Sequence, residues 1–318
     1  MIKRNSKIYI AGHSGLVGSS LLKLFKDKDF SNLIYERSRN LDLRDSKKVN
    51  IFFKKKKIEY MIIAAAKVGG IMSNSTYPTE FFQDNSLIQI NLLSAALKYG
   101  VKRSIFIGSS CIYPREAKTP IKEEYLLTGR MEETNKAMAI SKISGLVFCE
   151  AMFKQYGLDT ITVMPTNVYG EKDNFDKFNG HVVPSMISKF LTAKREKIEL
   201  LGTGRPLREL IHSDDLAEAI YFLLNTNKKK ISKICKNKYP MFNIGTGENV
   251  SIKYLANLIK KITKYNGKII FNSKFPDGTM KKNLDSTRIR KLGWKPRIKL
   301  IKGLKRVIQS RTYNGSFD

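Results

Sequence analysis

The chain has 318 residues, 42% hydrophobic and 10% aromatic, with a formal net charge of +30 from 58 Lys and Arg against 28 Asp and Glu. That length and apolar share suit one large α/β body or a core domain with a smaller companion, and no apolar run reaches the roughly 18 residues a membrane span needs. Cys111, Cys149 and Cys235 are too few and too scattered for a disulfide framework or a zinc site, so a reducing cytoplasm and no bound metal are expected.

The first residues lack the apolar stretch of a signal peptide. Residues 7–11 read as a buried strand, 16–28 as the helix that follows, and 33–36 as a second strand. Further buried strands are expected at 60–64, 104–108 and 160–164, the last ending at Pro165. Long helical patterns occupy 77–99 and 131–156. Short apolar strands alternating with amphipathic stretches predict an α/β fold with a Rossmann-type doubly wound parallel sheet. After Gly170 the alternation breaks down. Polar loops at 171–180 and 225–238 separate short elements, as expected of a smaller C-terminal α/β substrate lobe, and the tail from Arg311 is expected to fray. The expected division is 1–170 for dinucleotide binding and 171–318 mainly for substrate, with some segments returning to the first domain.

The lysine runs at 54–57 and 228–230 read as solvated helix ends or loops. No basic motif is interleaved with aromatics and no groove-reading helix is evident. The positive charge therefore suits an anionic nucleotide and argues against a nucleic-acid partner.

Gly12-His13-Ser14-Gly15-Leu16-Val17-Gly18 lies between the first strand and its helix. In that setting the glycines let the backbone turn tightly and approach a pyrophosphate seated on the helix N-terminus. Glu36, closing the second strand, would accept from a ribose 2′-hydroxyl and repel a 2′-phosphate. Arg37, Arg39 and Ser14 would instead hold that phosphate. NADP(H) and NAD(H) both stay open on these residues.

The Gly-x-x-Gly-x-x-Gly spacing is that of the extended short-chain dehydrogenases/reductases. More specific fragments follow in order: Ala-Ala-Ala-Lys-Val-Gly-Gly-Ile at 64–71, Gly-Ser-Ser-Cys-Ile-Tyr-Pro at 108–114, Met-Pro-Thr-Asn-Val-Tyr-Gly at 164–170 with Asp173-Asn174-Phe175, Gly-His-Val-Val-Pro at 180–184, and Pro276-Asp277-Gly278-Thr279. From about residue 7 to about residue 305 the chain resembles the GDP-L-fucose synthase family, the GDP-4-keto-6-deoxy-D-mannose 3,5-epimerase/4-reductases.

The resemblance implies that Cys111 and His181 exchange protons at C3 and C5, which the 4-keto group acidifies; a thiol and an imidazole suit that task near neutral pH. It implies that Ser109 hydrogen-bonds the carbonyl and that Lys142 binds the nicotinamide ribose. The dinucleotide would further be lined by Ile107, Gly108, Ser110, Pro165, Thr166, Asn167, Val168 and His181. Arg208 would hold the substrate diphosphate, with Lys189, Leu201 and Asp277 beside it. Lys189 stands where the family commonly has Arg, losing the bidentate fork, and Leu201 stands where bacterial members often carry Trp. The helices at 77–99 and 131–156 resemble those of a four-helix homodimer interface.

One position departs from the pattern. The family's reductive proton comes from a Tyr four residues before the Lys, and here that position is Met138. A thioether is a weak acceptor with no proton to give. A positioned general acid contributes about 10²–10⁴-fold, so intact epimerisation with slowed reduction is expected. Epimerisation alone, or nucleotide-sugar binding without turnover, are the alternatives.

Overall fold

The structure, a computed structural model, describes residues 2–176, 180–193, 197–275 and 277–313. Pro276 of the Pro276-Asp277-Gly278-Thr279 fragment lies outside them. In chain order the first part comprises β1 (Ile8–Ala11), α1 (Leu16–Asp27), β2 (Leu33–Ile34), α2 (Ser46–Lys56), β3 (Tyr60–Ile63), α3 (Ile71–Thr76), α4 (Pro78–Lys98), β4 (Arg103–Ile107), α5 (Lys136–Tyr156) and β5 (Thr160–Pro165). There follow β6 (Asn167–Tyr169), α6 (Val182–Leu191), β7 (Lys197–Leu201), β8 (Leu207–His212), α7 (Ser213–Asn225) and α8 (Lys228–Ile234). The last part holds β9 (Met241–Ile244), β10 (Asn249–Ser251), α9 (Ile252–Thr263), β11 (Lys268–Asn272), β12 (Lys281–Lys282), α10 (Thr287–Leu292) and α11 (Leu300–Tyr313).

Six parallel strands form the main sheet in the order β2-β1-β3-β4-β5-β9. Strands β1, β4 and β5 are buried along their whole length, which favours the apolar residues that dominate them, with Arg103, Ser104, Thr160 and Thr162 as buried polar exceptions. Alternate side chains serve opposite faces. Tyr9, Met61 and Phe106 join one core with Phe53, Leu92 and Leu146. Ile10, Ile62 and Ile105 join the other with Leu21, Phe25 and Leu223. The chain steps outward from β1 to β2 and then crosses to β3 on the other side of β1. The carboxyl ends of β1 and β3 therefore flank the switch point, where open α/β sheets bind ligands.

A third core, containing Tyr169, Ile187, Phe190, Leu210, Leu255, Ile259 and Leu304, joins α6, α9 and α11 to the smaller sheets. There β8 is flanked by β10, β12 and β6, while β7 pairs with β11. Strand β9 returns to the main sheet beside β5.

The sequence expectations need three adjustments. Strand β2 ends at Ile34, so Glu36 lies in the loop beyond it. The stretch 225–238 is not all loop. Asn227 caps α8 by accepting from the Lys229 N–H at 2.8 Å, and Ile231 is buried. Residues 314–318 of the tail lie outside the described residues, and the chain is not frayed at Arg311. Helix α11 runs on through it, with Leu304, Val307 and Ile308 buried, and the Arg311 guanidinium sits 4.5 Å above the Phe175 ring. Helix α2, which buries Val49 and Phe53 and packs Phe52 partly against the same core, was unforeseen and starts at an Asp45 side-chain cap.

Candidate active site

The glycine turn is built for close backbone approach. Gly12 has φ +83°, and a Cβ there would stand 2.6 Å from the Ala65 nitrogen beyond β3. A Cβ on Gly18 would overlap the Gly12 carbonyl, whereas Gly15 has room. Gly15 N-caps α1 without any side-chain hydrogen bond, so the first-turn N–H groups of Leu16, Val17 and Gly18 keep no side-chain acceptor.

His13 leans on the Tyr35 ring at 4.8 Å, and its Nδ1 is buried without a hydrogen-bond partner. Desolvation and the Arg37 charge lower its pKa, against a smaller opposing effect of Glu36. Arg37 is exposed, and Glu36 accepts from Asn40 Nδ2 at 3.3 Å. Bare helix amides, an orphaned ring nitrogen and an exposed guanidinium together fit a phosphorylated dinucleotide.

At the end of β4 the chain turns through Gly108 and Ser109. Ser109 Oγ accepts from the Cys111 N–H at 3.2 Å and caps a short turn, Ser110–Ile112. Both Ser109 and Cys111 are partly exposed, while Ser110 is buried. Tyr113 is buried and its hydroxyl meets Asn243 Oδ1 of β9 at 2.6 Å, which anchors the turn from below.

Helix α5 brings Lys142 to the same strand end. Its ammonium donates to the Ile107 carbonyl at 2.9 Å and lies 5.0 Å from the Phe106 ring centroid. Burial pushes its pKa down to about 8. One turn earlier Met138 is 7% exposed, so the thioether is packed in place of any hydroxyl. Its carbonyl accepts from Ser141 Oγ at 2.7 Å. Past β5 and the buried Pro165, Thr166 Oγ1 donates to the Glu209 carbonyl at 2.9 Å; Asn167 and Val168 are half-buried in β6.

His181 forms the N-cap residue of α6, and its side chain is 43% exposed. Its Nδ1 lies 3.5 Å from Asp173 Oδ1. Arg208 Nη1 donates to the carbonyls of Leu207 and Thr279 at 2.8 and 2.7 Å. Burial lowers its pKa, opposed by the Asp277 carboxylate.

Asp277 accepts from the Thr203 N–H at 2.8 Å and from its hydroxyl at 2.6 Å, and these bonds depress its pKa. It thereby ties the turn after β7 to the chain at Gly278. Leu201, at the end of β7, is 59% exposed. Lys189 on α6 turns to the Glu199 carbonyl at 3.4 Å, and burial lowers its pKa.

The structure thus groups Ser109 with Cys111, Lys142 with Ile107, Arg208 with Thr279, Asp277 with Thr203, and His13 with Tyr35. Lys189 reaches β7 through the Glu199 carbonyl, and Leu201 ends β7 just before the turn that Asp277 holds. Sequence reasoning assigned no role to Asp173, Glu209 or Asn243. Glu209 is fully buried and accepts from the N–H groups of Gly247 and Leu284 at 2.6 and 2.7 Å, which ties two loops to β8. A carboxylate inside the apolar strand around 207–212 was the available signal.

The model of the NAD dependent epimerase/dehydratase family matches residues 8–245. GDP-L-fucose synthase 1 of Arabidopsis thaliana is 43% identical over 317 residues, 99% of this chain and 94% of that protein. GDP-L-fucose synthase of Escherichia coli (strain K12) is 40% identical over 301 residues, 94% of each. The solved structure of a GDP-mannoheptose C4 reductase from Campylobacter jejuni with NADP bound is 36% identical, has a TM-score of 0.89, and covers 98% of this chain and 100% of its own. Matched by the family model over most of its length and by full-length relatives, the chain belongs to the NAD dependent epimerase/dehydratase family, within the GDP-L-fucose synthases.

Proposed function

We propose that the protein is an NADP(H)-dependent GDP-sugar epimerase/reductase acting on GDP-4-keto-6-deoxy-D-mannose or a closely related GDP-4-keto sugar. In this reading it exchanges protons at C3 and C5 and reduces C4 slowly. The observation that carries the reading is the Ser109–Cys111 turn beside a buried Lys142, with Met138 where a proton donor is expected.

The dinucleotide would be held by the 12–18 turn, His13 and Arg37, with Ile107, Gly108, Ser110, Lys142 and the stretch 165–168 along its length. NADP(H) is preferred over NAD(H) because Arg37 is exposed and the Campylobacter jejuni relative was solved with NADP. When bound, the reduced nicotinamide supplies hydride to the C4 carbonyl. The chain's own residues do the rest. Ser109 donates to the C4 oxygen and Arg208 holds the diphosphate. Cys111 and His181 remove and return protons on the carbons next to the ketone. Met138 fills the donor position without a transferable proton, so water must protonate the C4 alkoxide.

That packing also favours a second reading, epimerisation with negligible reduction. Incubation with GDP-4-keto-6-deoxy-mannose in D₂O separates the two. Deuterium at C3 and C5 with slow NADPH consumption supports the first; deuterium without consumption supports the second. No exchange would refute both. A Met138→Tyr variant is expected to oxidise NADPH about 10²–10⁴-fold faster.

A homodimer is part of the proposal. Helices α4 and α5 pack side by side and leave Phe82, Ile90, Ile140 and Val147 exposed, an apolar surface suited to a second copy. Three free thiols suit a reducing cytoplasm. Among the described residues no helix is long and apolar enough to cross a membrane.

A further inference from the structure

We propose that Asp173 is the positioning residue of His181. Its carboxylate holds the imidazole with the proton on Nδ1, leaving Nε2 to exchange protons with the sugar. The inference rests on the reading of His181 as an epimerising group, and it adds a residue that the motif comparison left without a task.

The two side chains are eight residues apart in sequence but 3.5 Å apart in space, Asp173 Oδ1 to His181 Nδ1. Their environments differ sharply. The Asp173 side chain is 4% exposed and that of His181 43%. Asp173 Oδ1 also accepts from the Asn174 N–H at 2.8 Å, while Oδ2 is buried with no hydrogen-bond partner. An incompletely paired buried carboxylate is costly, so it persists where something outside the turn's own hydrogen bonding uses it. The imidazole edge is the neighbour that can.

The loop is constructed to hold this approach. The Asp173 N–H donates to the Gly170 carbonyl at 3.3 Å. Asn174 Oδ1 accepts from the Asp176 N–H at 3.0 Å, and the Gly180 N–H donates to the Asp176 carbonyl at 3.0 Å. A Cβ on Gly180 would overlap the carbonyls of Asn174 and Asp176, so the close backbone approach beside His181 requires glycine there. Glu171 fastens the start of the loop, with Oε1 2.8 Å from Arg306 Nη2 of α11 and Oε2 3.4 Å from the buried His212 Nε2.

The chemistry follows from what each group can do. An ionised carboxylate only accepts, so it selects the tautomer with hydrogen on Nδ1 and leaves the Nε2 lone pair outward. When Nε2 takes a proton from a sugar carbon, the resulting imidazolium lies beside the Asp173 charge. When it gives a proton back, the ring is neutral again and the Nδ1 proton has not moved. A carboxylate behind an imidazole that fixes tautomer and orientation in this way is worth on the order of 10–10⁴-fold in rate.

The test is an imidazole ¹⁵N–¹H correlation spectrum of histidine-labelled protein, in which only His13, His181 and His212 contribute. Neutral His181 is expected as the Nδ1–H tautomer in the wild type, and as a mixture or the Nε2–H form in Asp173→Asn and Asp173→Ala. Deuterium entry at the sugar carbons should fall at least about tenfold in Asp173→Asn, with melting temperature and NADPH affinity unchanged. A wild-type His181 found as Nε2–H overturns the proposal whether or not the variants fold. His181→Gln separates the two levels. If it leaves exchange unchanged, the role of His181 fails and this inference with it. If it abolishes exchange while Asp173→Asn keeps both rate and tautomer, only the role of Asp173 fails.

Discussion

Replacing Lys142 by Met should change how stability depends on pH more than it changes stability at any one pH. Lys142 is 5% exposed and makes one hydrogen bond, to the Ile107 carbonyl at 2.9 Å. Burial lowers its pKa from 10.5 to about 8. With the folded value depressed, the unfolded chain binds more protons between about pH 8 and about pH 10.5, so this residue's contribution to stability rises with pH across that window. Below about pH 8 the cost of burying the ammonium is present in full. A shift of roughly 2.5 units at about 1.36 kcal/mol each makes that cost about 3 kcal/mol.

The Met variant removes the cost, but leaving the Ile107 carbonyl unpaired takes back about 1–3 kcal/mol. Near neutral pH the net gain is therefore small. By about pH 10.5 the variant should have lost about 3 kcal/mol relative to wild type and be the less stable protein. Cys149, whose thiol burial pushes up to about 12, slopes in the opposite direction; the Lys142 charge lowers that thiol's pKa, so Met at this position steepens its slope and adds to the variant's relative loss at high pH. Urea unfolding of the pair at several pH values between these limits is the assay. A stability difference that stays flat across the window would refute the reasoning, because it would mean the ammonium is not desolvated in the folded protein.

Gly18→Ala should weaken NADPH binding by about 5–150-fold, since the new methyl overlaps the Gly12 carbonyl and forces the turn open at about 1–3 kcal/mol; fluorescence titration of NADPH checks it. Glu209→Gln should cost about 1–3 kcal/mol in chemical unfolding, because an amide cannot accept on both sides and one of the Gly247 and Leu284 N–H groups loses its partner. Ile90→Lys, on the exposed face of α4, should yield monomers in sedimentation experiments while NADPH binding is retained; unchanged dimers would place the interface elsewhere.

Much of the fold was legible because it is encoded locally. Strands β1, β3, β4 and β5 lie between the two main cores, so their residues are predominantly apolar. Helices α2 and α8 were not legible: each is rich in lysine and fully buries only one or two side chains, so its apolar face is short and a side-chain cap marks where it starts. That part of the C-terminal half returns to the main sheet was expected, but which segment does so was hidden, since the four residues of β9, Met-Phe-Asn-Ile, do not state which strand they will join.

The site divides along the same line. The glycine turn, the Ser109–Cys111 fragment, Lys142 and the substitution at Met138 are all contiguous or four residues apart, so spacing alone made them readable. Residue types and local spacing are properties of the chain by itself. The approach of Asp173 to His181 and the unpaired Nδ1 of His13 arise only when the chain folds back on itself and packs. Burial and the distances between loops are set by tertiary packing, and they decide which carboxylate faces which imidazole.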